Sequence, residues 1–135
     1  MPTTSFATLR WFSRVVLLGI LANLALAVPT LLAPEALMAV SGMPAATPLL
    51  WPRFAALLLI LLSAFYVPAA IDPVRYRLVA WLAVAARLVG VIFFVGFQPA
   101  VYHPLGYFDL LFFVPESLLL LASSRAPSGG REALA

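Results

Sequence analysis

The chain has 135 residues, of which 64% are apolar and only 10% are charged, and its net charge is +3. A soluble globular domain is usually about half apolar and about one-quarter charged, so this composition favours a membrane protein. All eight basic residues are arginines, and their spread along the chain does not favour nucleic acid as a partner. Without cysteine and with one histidine, the chain has no disulfide, no thiolate metal site and no bis-histidine haem.

The N-terminal segment "MPTTSFATLRWFSRVVLLGILANLALA" resembles a secretory signal with an Ala-x-Ala-like end at Ala25–Ala27. We expect instead that it is retained as a first membrane helix. A helix needs about 20 mostly apolar residues to cross the hydrocarbon core. Four segments meet this requirement: residues 9–32, 49–70, 74–97 and 105–123.

These segments predict an all-α fold, an integral membrane four-helix bundle built by residues 1–125. None of them shows the alternating pattern of a membrane β-barrel strand. The connection at 33–48 contains three prolines and a Ser-Gly pair, which predicts one interfacial helical turn and a turn-rich return. The connection at 71–77 is tight, and Pro73 fits the start of a helix. Residues 98–104 form a short turn, and residues 126–135 form a small, polar tail that we expect to be flexible and cytoplasmic.

Arginine placement predicts the orientation of the bundle. The loops 33–48 and 98–104 contain no arginine. Six arginines fall on the other side, where they flank the apolar segments: Arg10, Arg14, Arg75, Arg77, Arg125 and Arg131. By the positive-inside rule both termini are cytoplasmic, and the expected location is the bacterial inner membrane.

Two arginines and two acids remain within the apolar segments, and their depths predict two ion pairs. With a rise of about 1.5 Å per residue, Arg87 lies about 15 Å and Glu116 about 13 Å from the inner end. Asp109 lies about 24 Å from that end, towards the side where Arg53 begins the second segment. The sequence therefore predicts a pair between Arg87 and Glu116 near the midplane and a pair between Arg53 and Asp109 above it.

Small residues indicate that these polar groups face the interior of the bundle. Around Arg87 the same helical face carries Ala80, Ala83 and Gly90, and Asn23 lies between Gly19 and Ala27 at four-residue spacing. Such residues allow helices to approach closely. The polar layer is then either a structural ion pair, a pocket for a lipid or quinone headgroup, or a site of proton transfer by Glu116 and Asp109, because intramembrane ionisable residues are candidates for function.

No residue pattern in the sequence is typical of a known catalytic site. A Ser-His-Asp set, a P-loop and a metal-ligand cluster are absent. His103 lies in the turn "VYHPLGY", where an interfacial polar residue is the simpler interpretation and an axial ligand the alternative.

Three stretches carry a family resemblance: "LLAPEALMAVSGMP", "WPRFAALLLILLSAFY" and "DPVRYRLVAWLAVAARLVG". Their placement of proline, glycine and arginine resembles the DoxX-like group of small bacterial four-helix membrane proteins. The resemblance implies a four-helix bundle and, in the best-described branch, a small subunit of a quinone-reducing membrane complex. It implies no catalytic residue here.

Two functional hypotheses follow from the sequence. The first is a non-catalytic accessory subunit of a larger inner-membrane complex, respiratory or photosynthetic, with other membrane subunits and the lipid bilayer as partners. The alternative is a protein that binds a lipid, quinone or other hydrophobic ligand, or a small membrane enzyme. In either version of this alternative the site lies between the third and fourth helices. A channel or transporter is a third possibility.

Overall fold

The computed structural model describes residues 3–125, and within this range the chain forms helices and turns without strands. Its α-helices are α1 (Thr3–Leu32), α2 (Pro34–Val40), α3 (Leu50–Ile71), α4 (Arg77–Val91) and α5 (His103–Arg125). A π-helical segment, Ile92–Phe97, continues α4, and a 3₁₀ turn, Ala100–Tyr102, precedes α5. The predicted all-α fold is confirmed, while the predicted tail at 126–135 lies outside the described residues.

Four helices in the described range are long and apolar enough to cross a membrane. They are Phe6–Leu32, Leu50–Ile71, Arg77–Phe97 and Ala100–Ser124. These correspond to the four segments expected from the sequence. The chain is therefore a helical protein with the dimensions of a multi-pass membrane protein.

The four long helices form an antiparallel bundle in which α3 and α5 occupy opposite corners. α1 packs extensively on α3 and on α5, and α4 packs on α5. The contact between α3 and α4 is less extensive, although these two helices are joined by a short connection. Among neighbouring helices, the bundle is therefore most open between α3 and α4.

The connection between α3 and α4 differs from the prediction. Pro73 does not begin the helix, because residues 73–76 form a turn and α4 starts at Arg77. The turn is held by Asp72, whose Oδ1 accepts hydrogen bonds from the backbone N–H groups of Val74 (3.2 Å) and Arg75 (2.9 Å). An aspartate that bonds the backbone two or three residues ahead stabilises such a turn in preference to continued helix.

The loop after α1 contains more helix than the single turn expected. α2 starts with Pro34 in its first turn, where the missing N–H has no helical partner to lose. It ends at Val40, and Gly42, two residues later, adopts a φ of 67° that favours glycine. The N–H of Met43 then reaches back 2.9 Å to the carbonyl of Met38, as in a typical helix C-terminus. This places Met38 and Met43 over one end of the bundle.

The half of the bundle nearest the start of α1, which we call the packed half, contains the hydrophobic core. Its fully buried side chains come from all four long helices: Phe12, Val16, Ile20, Tyr66, Ala69, Ala80, Ala83, Val84 and Leu120. The α4 and α5 ends are also joined here by a hydrogen bond from Arg77 to the Ser124 hydroxyl. The opposite half, which we call the open half, contains the end of α1, α2 and the start of α3 and α5.

Candidate ligand-binding site

Arg87 is buried on α4 at the boundary between the two halves. Only 3% of its surface is exposed. Ala83 and Ala80, one and two turns earlier on the same face, are also buried, which agrees with the interior position predicted from the small residues. A guanidinium group in such a place needs partners from the neighbouring helices, because burial removes its water.

Two oxygens and two aromatic rings surround the Arg87 guanidinium. Its Nη1 donates to the Asn23 side-chain carbonyl at 3.0 Å and to Asp109 Oδ1 at 2.9 Å. Its Cζ lies 4.9 Å from the ring centre of Phe112 and 5.8 Å from that of Phe108. Both distances fall within the range of cation–π attraction. Arg87 is thus held by hydrogen bonds on one edge and by aromatic contact on its face.

The ion pairs predicted from depth are wrong in their partners. Asp109 pairs with Arg87, and this is the ion pair found among residues 3–125. Arg53 lies exposed near the start of α3 and does not reach Asp109. The reason is the helix arrangement: Arg53 and Asp109 belong to α3 and α5, which face each other across the diagonal of the bundle.

The hydrogen bonds of Arg87 extend into a chain that joins all four long helices. Asn23 on α1 is 1% exposed, and its Nδ2 donates to the Ser63 hydroxyl of α3 at 3.2 Å. Ser63 in turn donates to the Leu59 carbonyl at 2.8 Å. The order Ser63, Asn23, Arg87, Asp109 therefore crosses α3, α1, α4 and α5. We call these four residues the polar chain.

Sequence reasoning identified Asn23, Arg87 and Asp109 but missed Ser63 and the neighbouring Tyr66. Both are buried on α3. A signal was present, because Ser63 and Tyr66 are three residues apart in an otherwise apolar segment and so share one helical face. That face is the one turned towards Asn23.

Glu116 lies beside the polar chain without a direct ion pair to Arg87. It is 1% exposed, and within the described range its Oε2 has no hydrogen-bond partner, nor have Nε and Nη2 of Arg87. A Cβ placed on Gly19 would lie 2.6 Å from Arg87 Nη2 and 3.4 Å from Glu116 Oε1. Because Gly19 has no side chain, Arg87 Nη2 and the Glu116 carboxyl group both have space next to α1 at this position.

Gly90 provides the corresponding space for Asp109. A Cβ at this position would lie 2.0 Å from Asp109 Oδ2 and 2.9 Å from its Cγ, closer than any side chain tolerates. The missing side chain lets the Asp109 carboxylate rest against α4 and reach Arg87. This explains why a glycine is needed one turn after the arginine.

A cavity of about 490 Å³ occupies the open half of the bundle. Its walls are mostly apolar and come from α1, α2, α3, the π-helical segment and α5. The residues that line it include Ala27, Met38, Trp51, Ala56, Phe94 and Leu105. Asn23 and Asp109 lie at its inner end. This volume is within the ~300–1,000 Å³ of typical small-molecule sites, and the combination of apolar walls with few polar groups is also typical.

A second cavity of about 270 Å³ lies between α3 and α4, where these helices pack least closely. Its wall includes Tyr66, Arg87, Gly90 and Phe93. Asn23, Leu59 and Asp109 line both cavities, so the two spaces adjoin at the polar chain. The π-helical segment contributes Phe94 to the larger cavity and Phe93 to the smaller one, and short π-helical stretches are frequent at functional sites.

His103 lies at the first residue of α5, away from the polar chain. Its Nε2 is 3.1 Å from the Gln98 carbonyl, a contact in which this nitrogen donates, and its ring packs edge-on against Tyr107. It thus ties the turn at 98–104 to α5. Within residues 3–125 no group of three or more histidine and acidic side chains is arranged to hold a metal ion.

No family model matches the sequence, and neither a curated protein nor a solved structure matches it. The resemblance to the DoxX-like group therefore stays a prediction.

Proposed function

We propose that this protein is a multi-pass membrane protein that binds a small, mostly apolar molecule in the larger cavity, with one polar end of that molecule at Asn23 and Asp109. The single observation that supports this is the 490 Å³ cavity with apolar walls and a buried polar end. A concave space of this size with apolar walls and few polar groups has the form of a typical small-molecule site. Most of the residues around it are leucines, alanines, methionines and aromatics, which suit an apolar occupant.

We further propose that the bundle lies in the bacterial inner membrane with the packed half towards the cytoplasm. Arg10, Arg14, Arg75 and Arg77 belong to the helix ends of that half, and the positive-inside rule places such residues on the cytoplasmic side. The cavity then opens in the outer half of the bilayer. Trp51, which is exposed beside the cavity, lies at the level expected for an interfacial aromatic residue.

The test is the small-molecule content of the purified protein. Solvent extracts of the detergent-purified wild type and of Ala56→Phe are compared by mass spectrometry. Ala56 is 3% exposed and lines the cavity, so a phenylalanine there fills the space. We expect an apolar compound in a near-stoichiometric amount with the wild type and its loss with Ala56→Phe.

The matched control is Ala64→Phe, which adds the same volume at an exposed position on α3 outside the cavity lining. This variant must keep the compound. If Ala56→Phe retains as much compound as Ala64→Phe does, the larger cavity is not its binding site. If the wild type carries no enriched compound at all, the binding proposal fails.

An accessory subunit of a larger membrane complex is a second proposal, favoured by the wide exposed apolar surface. Between 17% and 28% of the residues in the apolar windows of the four long helices are buried. The exposed remainder suits lipid or neighbouring subunits. Gentle purification that yields defined companion subunits supports this role, and stable isolation of the protein alone contradicts it.

A further inference from the structure

Asp109 presents one carboxylate oxygen that the protein itself leaves without a hydrogen-bond donor. Oδ1 accepts from Arg87, whereas in the described part of the chain Oδ2 has no donor. Oδ2 rests against Gly90, on the wall of the smaller cavity. Asp109 also lines the larger cavity, so its carboxylate stands where the two spaces adjoin.

The donors of Arg87 and Asn23, which lie next to this carboxylate, are not available to a molecule in the cavities. Arg87 Nη1 already donates to both Asn23 and Asp109. Arg87 Nε and Nη2 are fully shielded from the surrounding space. Asn23 Nδ2 donates to Ser63, and only 1% of the Asn23 surface is exposed. The charged group that a bound molecule meets is therefore an acceptor, although an arginine is the nearest basic residue.

The charge balance of the layer points the same way. Arg87 is the buried basic residue at this level, while two acids, Asp109 and Glu116, lie around it. Hydrogen bonds between a cationic donor and a carboxylate are stronger than those between neutral groups. A molecule with a positively charged donor can bond to Asp109 Oδ2 and balance the second acid. A molecule whose polar end is another acceptor cannot form a hydrogen bond with this oxygen.

We propose that the ligand is an amphiphile with an apolar body and an ammonium headgroup. This assignment rests on the binding function proposed above. The apolar body occupies the larger cavity between α1, α3 and α5, and the ammonium group donates to Asp109 Oδ2 where the cavities adjoin. Ionised fatty acids and oxidised quinones, whose polar ends only accept hydrogen bonds, are poor ligands for this arrangement.

The experiment uses Trp51, which lines the larger cavity, as a fluorescent reporter. The full chain with Trp11→Phe and Trp81→Phe is placed in phosphatidylcholine nanodiscs and titrated with 10-bromodecylamine, 10-bromodecanoic acid and 10-bromo-2-decanone, whose bromine quenches tryptophan. We expect saturable quenching by the amine with an apparent Kd about tenfold lower than for the other two, a factor that corresponds to ~1.4 kcal/mol. A separate Trp51→Phe protein that retains Trp11 and Trp81 measures the quenching that arises from probe dissolved in the lipid, because those two tryptophans lie outside the lining of the larger cavity.

Two variants test whether Asp109 causes this preference. Asp109→Asn removes the charge, and we expect the amine and the ketone to bind equally. Gly90→Ala keeps the carboxylate but places a Cβ 2.0 Å from Oδ2, so it displaces the acceptor and is expected to abolish the preference too. Gly96→Ala is the matched control, because a Cβ there meets nothing within 4 Å, and it must retain the preference.

The outcomes separate the two proposals. Saturable quenching by all three probes with equal affinity, or tighter binding of the acid or the ketone, overturns the ammonium assignment and leaves the binding function standing. Quenching that no probe saturates, in the wild-type background and in every variant, overturns the binding function itself. A preference for the amine that survives both Asp109→Asn and Gly90→Ala overturns the role of Asp109.

Discussion

The packed half and the open half of the bundle are made of the same helices but are filled differently. In the packed half Phe12, Val16 and Leu120 interdigitate with alanines of α3 and α4 and are completely buried. In the open half small residues such as Ala27 and Ala56 lie in the wall of a cavity. Helix length and apolar character therefore determine the bundle, whereas the pairing of large with small side chains determines where it is densely packed. The polar chain marks the boundary.

The largest expected effect comes from removing a large side chain of the packed half. Phe12→Ala leaves a cavity among atoms that cannot collapse, and such changes in cores cost about 3–5 kcal/mol of unfolding free energy. Leu105→Ala, in the wall of the open half, should cost roughly 1 kcal/mol, because that side chain already borders empty space and has fewer contacts to lose. Unfolding by sodium dodecyl sulfate in mixed micelles measures both. Equal losses would show that the two halves do not differ in packing.

The next largest effect is expected at the boundary. Arg87→Met removes the group that bonds both Asn23 and Asp109 and leaves a carboxylate without its counter-ion. Breaking a buried pair in this way costs about 3–5 kcal/mol, and we expect about 3 kcal/mol because Asp109 is still 19% exposed.

Arg53→Met is the control for this change, since Arg53 is exposed and has no ion pair within residues 3–125. We expect little change in its unfolding free energy. If the two methionine variants unfold at the same detergent concentration, the polar chain does not stabilise the boundary.

Much of the fold, but only part of the site, follows from the sequence. The length of the apolar segments predicts the four long helices, and the small residues around Arg87 and Asn23 predict which faces are interior. The ion partners do not follow, because Asp109 and Glu116 are only about 10 Å apart along α5 and a long arginine side chain reaches either. The choice depends on Asn23, which shares Arg87 Nη1 with Asp109, and on Gly90, which makes room for that carboxylate.

The two acids give a third and more selective prediction, because they lie at the same boundary with different partners. Asp109→Asn weakens a hydrogen bond to a charged group, which contributes about 1.5–3 kcal/mol. Glu116→Gln should not lower stability, since Glu116 Oε2 accepts no hydrogen bond within the described range and the change removes a buried charge. Thermal unfolding of the two amide variants, followed by circular dichroism in one detergent, measures the difference. A larger loss of thermal stability with Glu116→Gln would indicate that Arg87 pairs with Glu116, as its depth in the sequence predicts.

The smallest effect is expected where α3 joins the polar chain. Ser63→Ala removes the acceptor of Asn23 Nδ2, and hydrogen bonds between membrane helices average about 0.6 kcal/mol. Ser117→Ala is the control, because the Ser117 hydroxyl donates only to the nearby Val114 carbonyl of its own helix. Detergent unfolding should therefore separate the two variants by about the value of one interhelical bond. If both variants match the wild type, Arg87 alone positions Asn23. In that case α3 is held to the other three helices by apolar contacts, without a stabilising hydrogen bond from Ser63.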